Sequence, residues 1–220
     1  MSTTIREQSQ QIRNASIEHL PAEVVEVFDR SIENLLDEGM PADVVTVGDT
    51  LASFTLSDAT GTPVSLDKLV ASGPAVIVFY RGGWCPYCNV ALRAYQRELL
   101  PELPSFKARL VAISPQTPDE SLSSVEKMEL GFTVLSDPGN RVARSVGIVF
   151  QQADEVLEVQ RQLGLDLAAV NAEGSTELPR PTVLIVDSNR VIRFVDVQPD
   201  YTARTEVADI LAALAGLSNS

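Results

Sequence analysis

The chain reads as an α/β protein in which a central mixed sheet is flanked by helices, with two further helices ahead of it. Three features carry that reading. Apolar runs of strand length at 76–80, 109–114 and 183–186 alternate with stretches of helical spacing. The last of them turns back through Asp187-Ser188-Asn189 into a second run at 191–195, so the sheet ends in a hairpin and is mixed rather than all parallel. The first 47 residues show helical spacing alone.

Thr4 followed by Glu7 forms a capping box, and Ile5, Ile12 and Ile17 lie along one side of a first helix. Pro21 opens a second, in which Val24, Phe28, Ile32 and Leu35 recur at spacings of three and four, and Gly39 and Pro41 end it. Residues 1–47 are therefore predicted as an N-terminal helical extension and 48–217 as the main domain. The helix pair has two readings: an arm packed on the core, or a segment that covers the site or makes a homodimer contact. His19, in the link between the helices, reads as a surface residue.

In the main domain, residues 54–56 and 64–66 flank a turn-rich stretch from Asp58 to Pro63 and predict a hairpin, followed by a short helix over 66–71. The strand at 76–80 stops at Arg81-Gly82-Gly83, a turn signal, and gives way to a helix with Leu92, Tyr95 and Leu99 on one face. Pro101 and Pro104 end it. The strand at 109–114 leads into a loop at its carboxyl end, where open α/β sheets place their binding crevices, so Ser114 and Gln116 are candidates for lining a site. A helix over 119–129, a strand over 132–135, a short helix over 140–146 and a helix over 154–163 follow, with 166–177 expected as a surface excursion. After the terminal hairpin, Val207, Ile210, Leu211 and Leu214 share one face of a closing helix.

At 220 residues the chain is long enough for one core that buries about 70% of its unfolded surface. A formal net charge of −13 argues against nucleic acid or an anionic membrane as a partner. No run approaches the roughly 18 apolar residues of a membrane span, and the polar start lacks the apolar centre of a signal peptide. A cytoplasmic location is the expectation.

Both cysteines, Cys85 and Cys88, sit where the 76–80 strand becomes a helix, beside the only tryptophan, Trp84. The first turn of a helix offers unpaired N–H groups and the positive end of a dipole, which lower a thiol's pKa and favour the reactive thiolate. A spacing of three keeps both sulfurs on one face, close enough to join as a disulfide. Pro86 suits an early helical position, where its missing N–H costs nothing. Two cysteines and one distant histidine leave too few ligands for zinc, so no metal is expected, and no cofactor is called for. The chemistry predicted is that of a redox dithiol.

From about Val47 to Leu214 the chain resembles the peroxiredoxin-like, AhpC/TSA-type branch of the thioredoxin-fold superfamily. The resemblance rests on Phe79-Tyr80 before the redox turn, the string WCPYC, Ser136-Asp137-Pro138 ahead of a short helix, and Pro181 followed by VLIVD and a second strand. It implies a thioredoxin-like fold, with Pro181 in the position of the proline that faces the redox cysteines. Two registers compete. The thioredoxin register makes Cys85 the exposed nucleophile and Cys88 the resolving thiol. The peroxiredoxin register, counted from Phe79-Tyr80, makes Cys88 the peroxide-reducing thiol. Arg81 then stands where the family carries its motif proline, and Pro181 where it carries a catalytic arginine, with Arg180 one residue early.

The leading functional reading is a thiol peroxidase acting on hydrogen peroxide or organic hydroperoxides through a sulfenic acid and a Cys85–Cys88 disulfide. A thioredoxin-like or low-molecular-weight thiol would reduce that disulfide. Arg81 or Arg180 would stabilise the thiolate, and Trp84 and Pro181 would wall the site. The alternative is a dithiol-disulfide oxidoreductase acting on protein or small-molecule disulfides, with Cys85 attacking. A third, non-enzymatic reading is a redox-sensing module whose disulfide state alters the contacts of the N-terminal helices.

Overall fold

The computed structural model describes residues 3–218, so Met1 and Ser2 of the expected extension lie outside it. Two helices open the chain, α1 (Ile5–His19) and α2 (Ala22–Glu38). Next come the hairpin β1 (Thr55–Asp58) and β2 (Pro63–Ser65), the short α3 (Leu66–Val70), β3 (Ala75–Phe79) and α4 (Pro86–Ala94), which runs on through tighter and wider turns to Phe106. β4 (Arg109–Ser114), α5 (Pro118–Met128), β5 (Thr133–Ser136) and α6 (Arg141–Ser145) follow. The rest comprises β6 (Val149–Gln151), α7 (Asp154–Gln162), α8 (Leu167–Val170), β7 (Glu177–Pro179), β8 (Thr182–Val186), β9 (Ile192–Val197) and α9 (Val207–Ser218).

Seven strands form one sheet in the order β2-β1-β5-β4-β3-β8-β9. β3, β4 and β5 run parallel, while β8 pairs antiparallel with β3 and β9 with β8, so the sheet is mixed as the sequence predicts. Alternate side chains of a strand point to opposite faces, and both faces here are apolar. Val76, Val78, Leu110, Ala112, Val183 and Ile185 meet Leu92 of α4, Ile210 and Leu214 of α9, and Ile5 of α1. The other set, Ala75, Ile77, Phe79, Val111, Ile113 and Leu184, meets Leu66 and Leu69 of α3 and Val142 of α6. β3 is therefore buried along its whole length, which fixes the position of the turn that follows it.

The helix pair is fastened to this core at both ends. Thr4 and Glu7 close the capping box that the sequence predicts. The Glu206 carboxylate then accepts the N–H groups of Ile5 and Arg6, at 3.1 and 2.8 Å, two groups a helix start leaves unpaired. α1 packs along α4, while α2 lies on α7. Ile32 and Leu35 of α2 join Phe150, Leu157, Leu167, Leu178 and Tyr201 in a third apolar cluster, against which Trp84 rests. Of the predicted face of α1, Ile5 is buried but Ile17 is 54% exposed.

The stretch expected as a surface excursion, 166–177, instead docks on the loop after β4. The Ala172 N–H donates to the Pro115 carbonyl at 2.8 Å and the Thr117 N–H to that of Val170 at 3.2 Å. Leu167 is buried there, and β7 pairs with β6 in a small second sheet. These are contacts between segments far apart in the chain, and none leaves a local periodicity.

Glu206→Ala removes the acceptor at the start of α1 and is expected to cost about 1 kcal/mol. Amide hydrogen exchange across residues 5–19 should quicken while that of β3 and β4 stays unchanged.

Candidate active site

The turn after β3 has room for nothing larger than glycine. Gly82 sits at φ +148°, and a Cβ there would lie 2.3 Å from Trp84 Nε1. A Cβ on Gly83 would meet Ser124 Oγ of α5 at 2.0 Å. The turn is also braced: Gln116 Oε1 accepts the Gly83 N–H at 2.7 Å, and Asn89 Nδ2 donates to the Gly83 carbonyl at 2.9 Å. Gln116 thus belongs to the site as a brace rather than as part of the lining. Cys85 is the N-cap of α4, Pro86 is within its first turn, and Cys88 stands one turn in.

Both thiols are buried, Cys85 at 1% exposure and Cys88 at 0%. The exposed nucleophile of the thioredoxin register is therefore absent, because α1, α2 and Tyr201 stand around Cys85. The cation at the thiols is Arg204, in the loop between β9 and α9. Its Nη2 donates to Cys88 Sγ at 3.0 Å and lies 3.8 Å from Cys85 Sγ. Its Nη1 donates to the carbonyls of Tyr201 and Ala203, at 2.6 and 2.5 Å, which fixes the guanidinium in place. The neighbouring Thr205 is held by Asp196 and by the Tyr95 hydroxyl, both at 2.8 Å.

Burial would push the Cys88 thiol up. The Cys85 S–H, which donates to it, and Arg204 outweigh that, with help from the backbone N–H and the charge of Arg81, and hold Cys88 well below the ordinary thiol range. Cys85 moves the other way: burial, and then the neighbouring Cys88 thiolate, push it well above that range. Both directions favour the negative charge on Cys88 and the proton on Cys85.

The other predicted residues divide. Arg81 is buried, with its guanidinium between Trp84 and Tyr201, 5.0 and 4.2 Å from the ring centroids, and bonded to Gln152 at 3.0 Å. Pro181, in a trans peptide, lines a small void beside Cys88 together with Arg204 and Thr182. Arg180 is directed elsewhere: it pairs with Glu38 at the end of α2, at 3.3 Å, and its guanidinium lies 5.6 Å from the Phe150 ring centroid. Arg180 was expected as a thiolate donor on the strength of its place in the chain. Glu38, 142 residues earlier, claims it instead. His19 is exposed, as expected, with Nδ1 at 2.8 Å from the Ala15 carbonyl.

A cavity of about 310 Å³ opens on this turn. Trp84, Cys85 and Tyr87 form one side, Ile17, Val25 and Phe28 of α1 and α2 the other, and Leu163 and Leu165 an end. Cys85 lines it and Cys88 does not.

The AhpC/TSA family pattern matches residues 47–195 of the chain. The chain belongs to the AhpC/TSA family. As a member, it is 36% identical over 104 residues to a chloroplastic peroxiredoxin Q of Sedum lineare, covering 47% of this chain and 55% of that protein. It therefore spans little more than half the length of that relative. It is 32% identical over 114 residues to a putative peroxiredoxin of Mycobacterium tuberculosis, covering 52% of this chain and 73% of the relative. Among solved structures, the peroxidoxin BcpB of Mycobacterium tuberculosis superposes on 81% of this AhpC/TSA chain and 98% of its own, with a TM-score of 0.62 and 25% identity. α1, α2 and Arg204 all lie outside the residues that match the family.

Sequence reasoning missed Arg204, Tyr201 and the cavity. The 198–206 loop carries no motif, and nothing local announces that its single arginine reaches back to the cysteines.

Two measurements check this geometry. Arg204→Met should move the thiolate absorbance titration at 240 nm to higher pH, because the charge that favours the anion is gone. Gly83→Ala should lower the denaturation midpoint by an amount worth about 1–3 kcal/mol, since the added methyl would meet Ser124 Cβ at 2.9 Å as well as its Oγ.

Proposed function

We propose that this chain is a thiol peroxidase in which Cys88 reduces the peroxide and Cys85 resolves the product. The observation that carries the reading is the 3.0 Å bond from Arg204 Nη2 to Cys88 Sγ, which keeps one buried sulfur as an anion. The Cys88 thiolate attacks the terminal peroxide oxygen, the O–O bond breaks, and Cys88 becomes a sulfenic acid. The departing oxygen carries negative charge that Arg204 and Arg81 are placed to stabilise. Cys85 then attacks Cys88 Sγ, water leaves, and a Cys85–Cys88 disulfide remains. A thioredoxin-like or low-molecular-weight thiol restores the dithiol.

In this reading Trp84 and Pro181 are walls of the site, and Arg180 holds α2 over it through Glu38. Residues 1–47 are an extension that covers the site, and 48–217 are the catalytic domain. A reducing, cytoplasmic setting is part of the proposal, since the cycle needs a supply of thiols. The oxidoreductase alternative requires Cys85 as the attacking thiolate, whereas its burial and the Cys88 anion disfavour that state.

Stopped-flow Trp84 fluorescence with hydrogen peroxide tests the assignment. Cys88→Ser should abolish the response. Cys85→Ser should react once and stop at a sulfenic acid that dimedone traps. Arg204→Met should slow the reaction about 100-fold. As pH falls the wild-type rate should drop once Cys88 gains its proton, and in Arg204→Met that drop should begin at higher pH. A full response in Cys88→Ser would refute the assignment.

A further inference from the structure

The reductant's route to the disulfide can be read from the cavity beside the thiols, and this step rests on the disulfide of the proposed cycle. Cys85 lies against a cavity of about 310 Å³, the lower end of the range that holds one small ligand. Its other walls are mainly apolar: Ile17, Val25, Phe28, Trp84 and Leu163. α1 and α2 close over it, leaving Cys85 1% exposed, so a protein dithiol has no surface sulfur to meet. Two arginines, Arg13 and Arg81, stand among these apolar walls; Arg13 is paired at 3.0 Å with Asp29, which also lines the cavity, while Arg81 is bonded to the neutral Gln152. An apolar chamber with the Arg81 cation near its reactive sulfur favours a small molecule with a hydrocarbon body that attacks as an anion.

We propose that the cavity between α1, α2 and the redox turn is the binding site of a small apolar dithiol, which reduces the Cys85–Cys88 disulfide by attacking Cys85. One thiolate of the ligand attacks Cys85 Sγ. The Cys85–Cys88 bond breaks, and its electron pair leaves on Cys88 Sγ, where Arg204 receives the charge. The ligand's second sulfur, having released its proton to solvent, attacks the ligand sulfur now bound to Cys85. That bond breaks, Cys85 leaves as thiolate and takes up a proton, and the ligand departs as a cyclic disulfide. The ligand loses two electrons and the protein pair gains them. Direction is set by the leaving group, because displacement is faster from the sulfur whose partner is the more acidic thiol, here Cys88. A dithiol is specified because a chamber this size holds one ligand and keeps a second thiol molecule from the mixed disulfide.

The test oxidises the full chain with diamide, which forms the disulfide without peroxide, and follows re-reduction anaerobically by Trp84 fluorescence. 1,4-Butanedithiol and dithiothreitol share a carbon chain and ring size and differ by two hydroxyls. Their rate ratio on the protein is divided by their ratio on hydroxyethyl disulfide in free solution. The corrected preference for butanedithiol should reach at least tenfold, and a thioredoxin should react more slowly than butanedithiol. Ile17→Asp and Leu163→Asp place charge at positions 54% and 51% exposed, where the fold tolerates it, and each should erase the preference. A corrected ratio near one, a preference that survives in both variants, or a faster thioredoxin overturns the inference. If diamide forms no disulfide, this inference and the peroxidase reading both fall. If the preference holds but peroxide never oxidises the pair, only the peroxidase reading falls.

Discussion

The structure depends on a half-buried arginine set against a sulfur that water does not reach. A thiolate with no exposed surface is expensive, and Cys88 is held in that form by the Arg204 guanidinium at 3.0 Å and by the Cys85 S–H. The half-buried arginine is held in turn by its Nη1, which donates to the Tyr201 and Ala203 carbonyls. Each partner is tolerable because the other is present, and a chain with 17 basic residues against 30 acidic ones places two of its arginines next to this sulfur.

That arrangement ties the helix pair to the chemistry. The loop carrying Arg204 also carries Tyr201, which packs in the apolar cluster under α2, and Glu206, which receives the first N–H groups of α1. The helices do not rest on the domain as a separate layer: they are bonded to the segment that sets the charge state of Cys88. Beyond the residues that match the AhpC/TSA family, the chain has added a roof to the site and fixed it to the arginine beneath.

Where local sequence dictates structure, it was legible. The apolar run of β3, the glycine turn, Pro86 and the Thr4–Glu7 box each depend on neighbours within a few residues, and all form as their residues demand. The position of the two thiols followed from those elements. What stayed hidden was long-range. Arg204 meets a sulfur 116 residues away, β6 pairs with β7 across an irregular stretch, and Glu38 claims Arg180, the arginine one residue ahead of Pro181. Such partners are selected by three-dimensional packing, and the residue types alone, an arginine in a loop or a glutamate at a helix end, fit a solvated surface equally well.

The hydrogen-bonded Arg204–Cys88 pair also bears on redox poise. Joining the two sulfurs removes the anion that Arg204 Nη2 faces at 3.0 Å. The electrostatic benefit belongs to the dithiol form alone, so it raises the reduction potential of the couple, by about 30 mV for each 1.4 kcal/mol. A disulfide formed here is a readily reduced one, held at higher energy by the same charge that makes the thiolate.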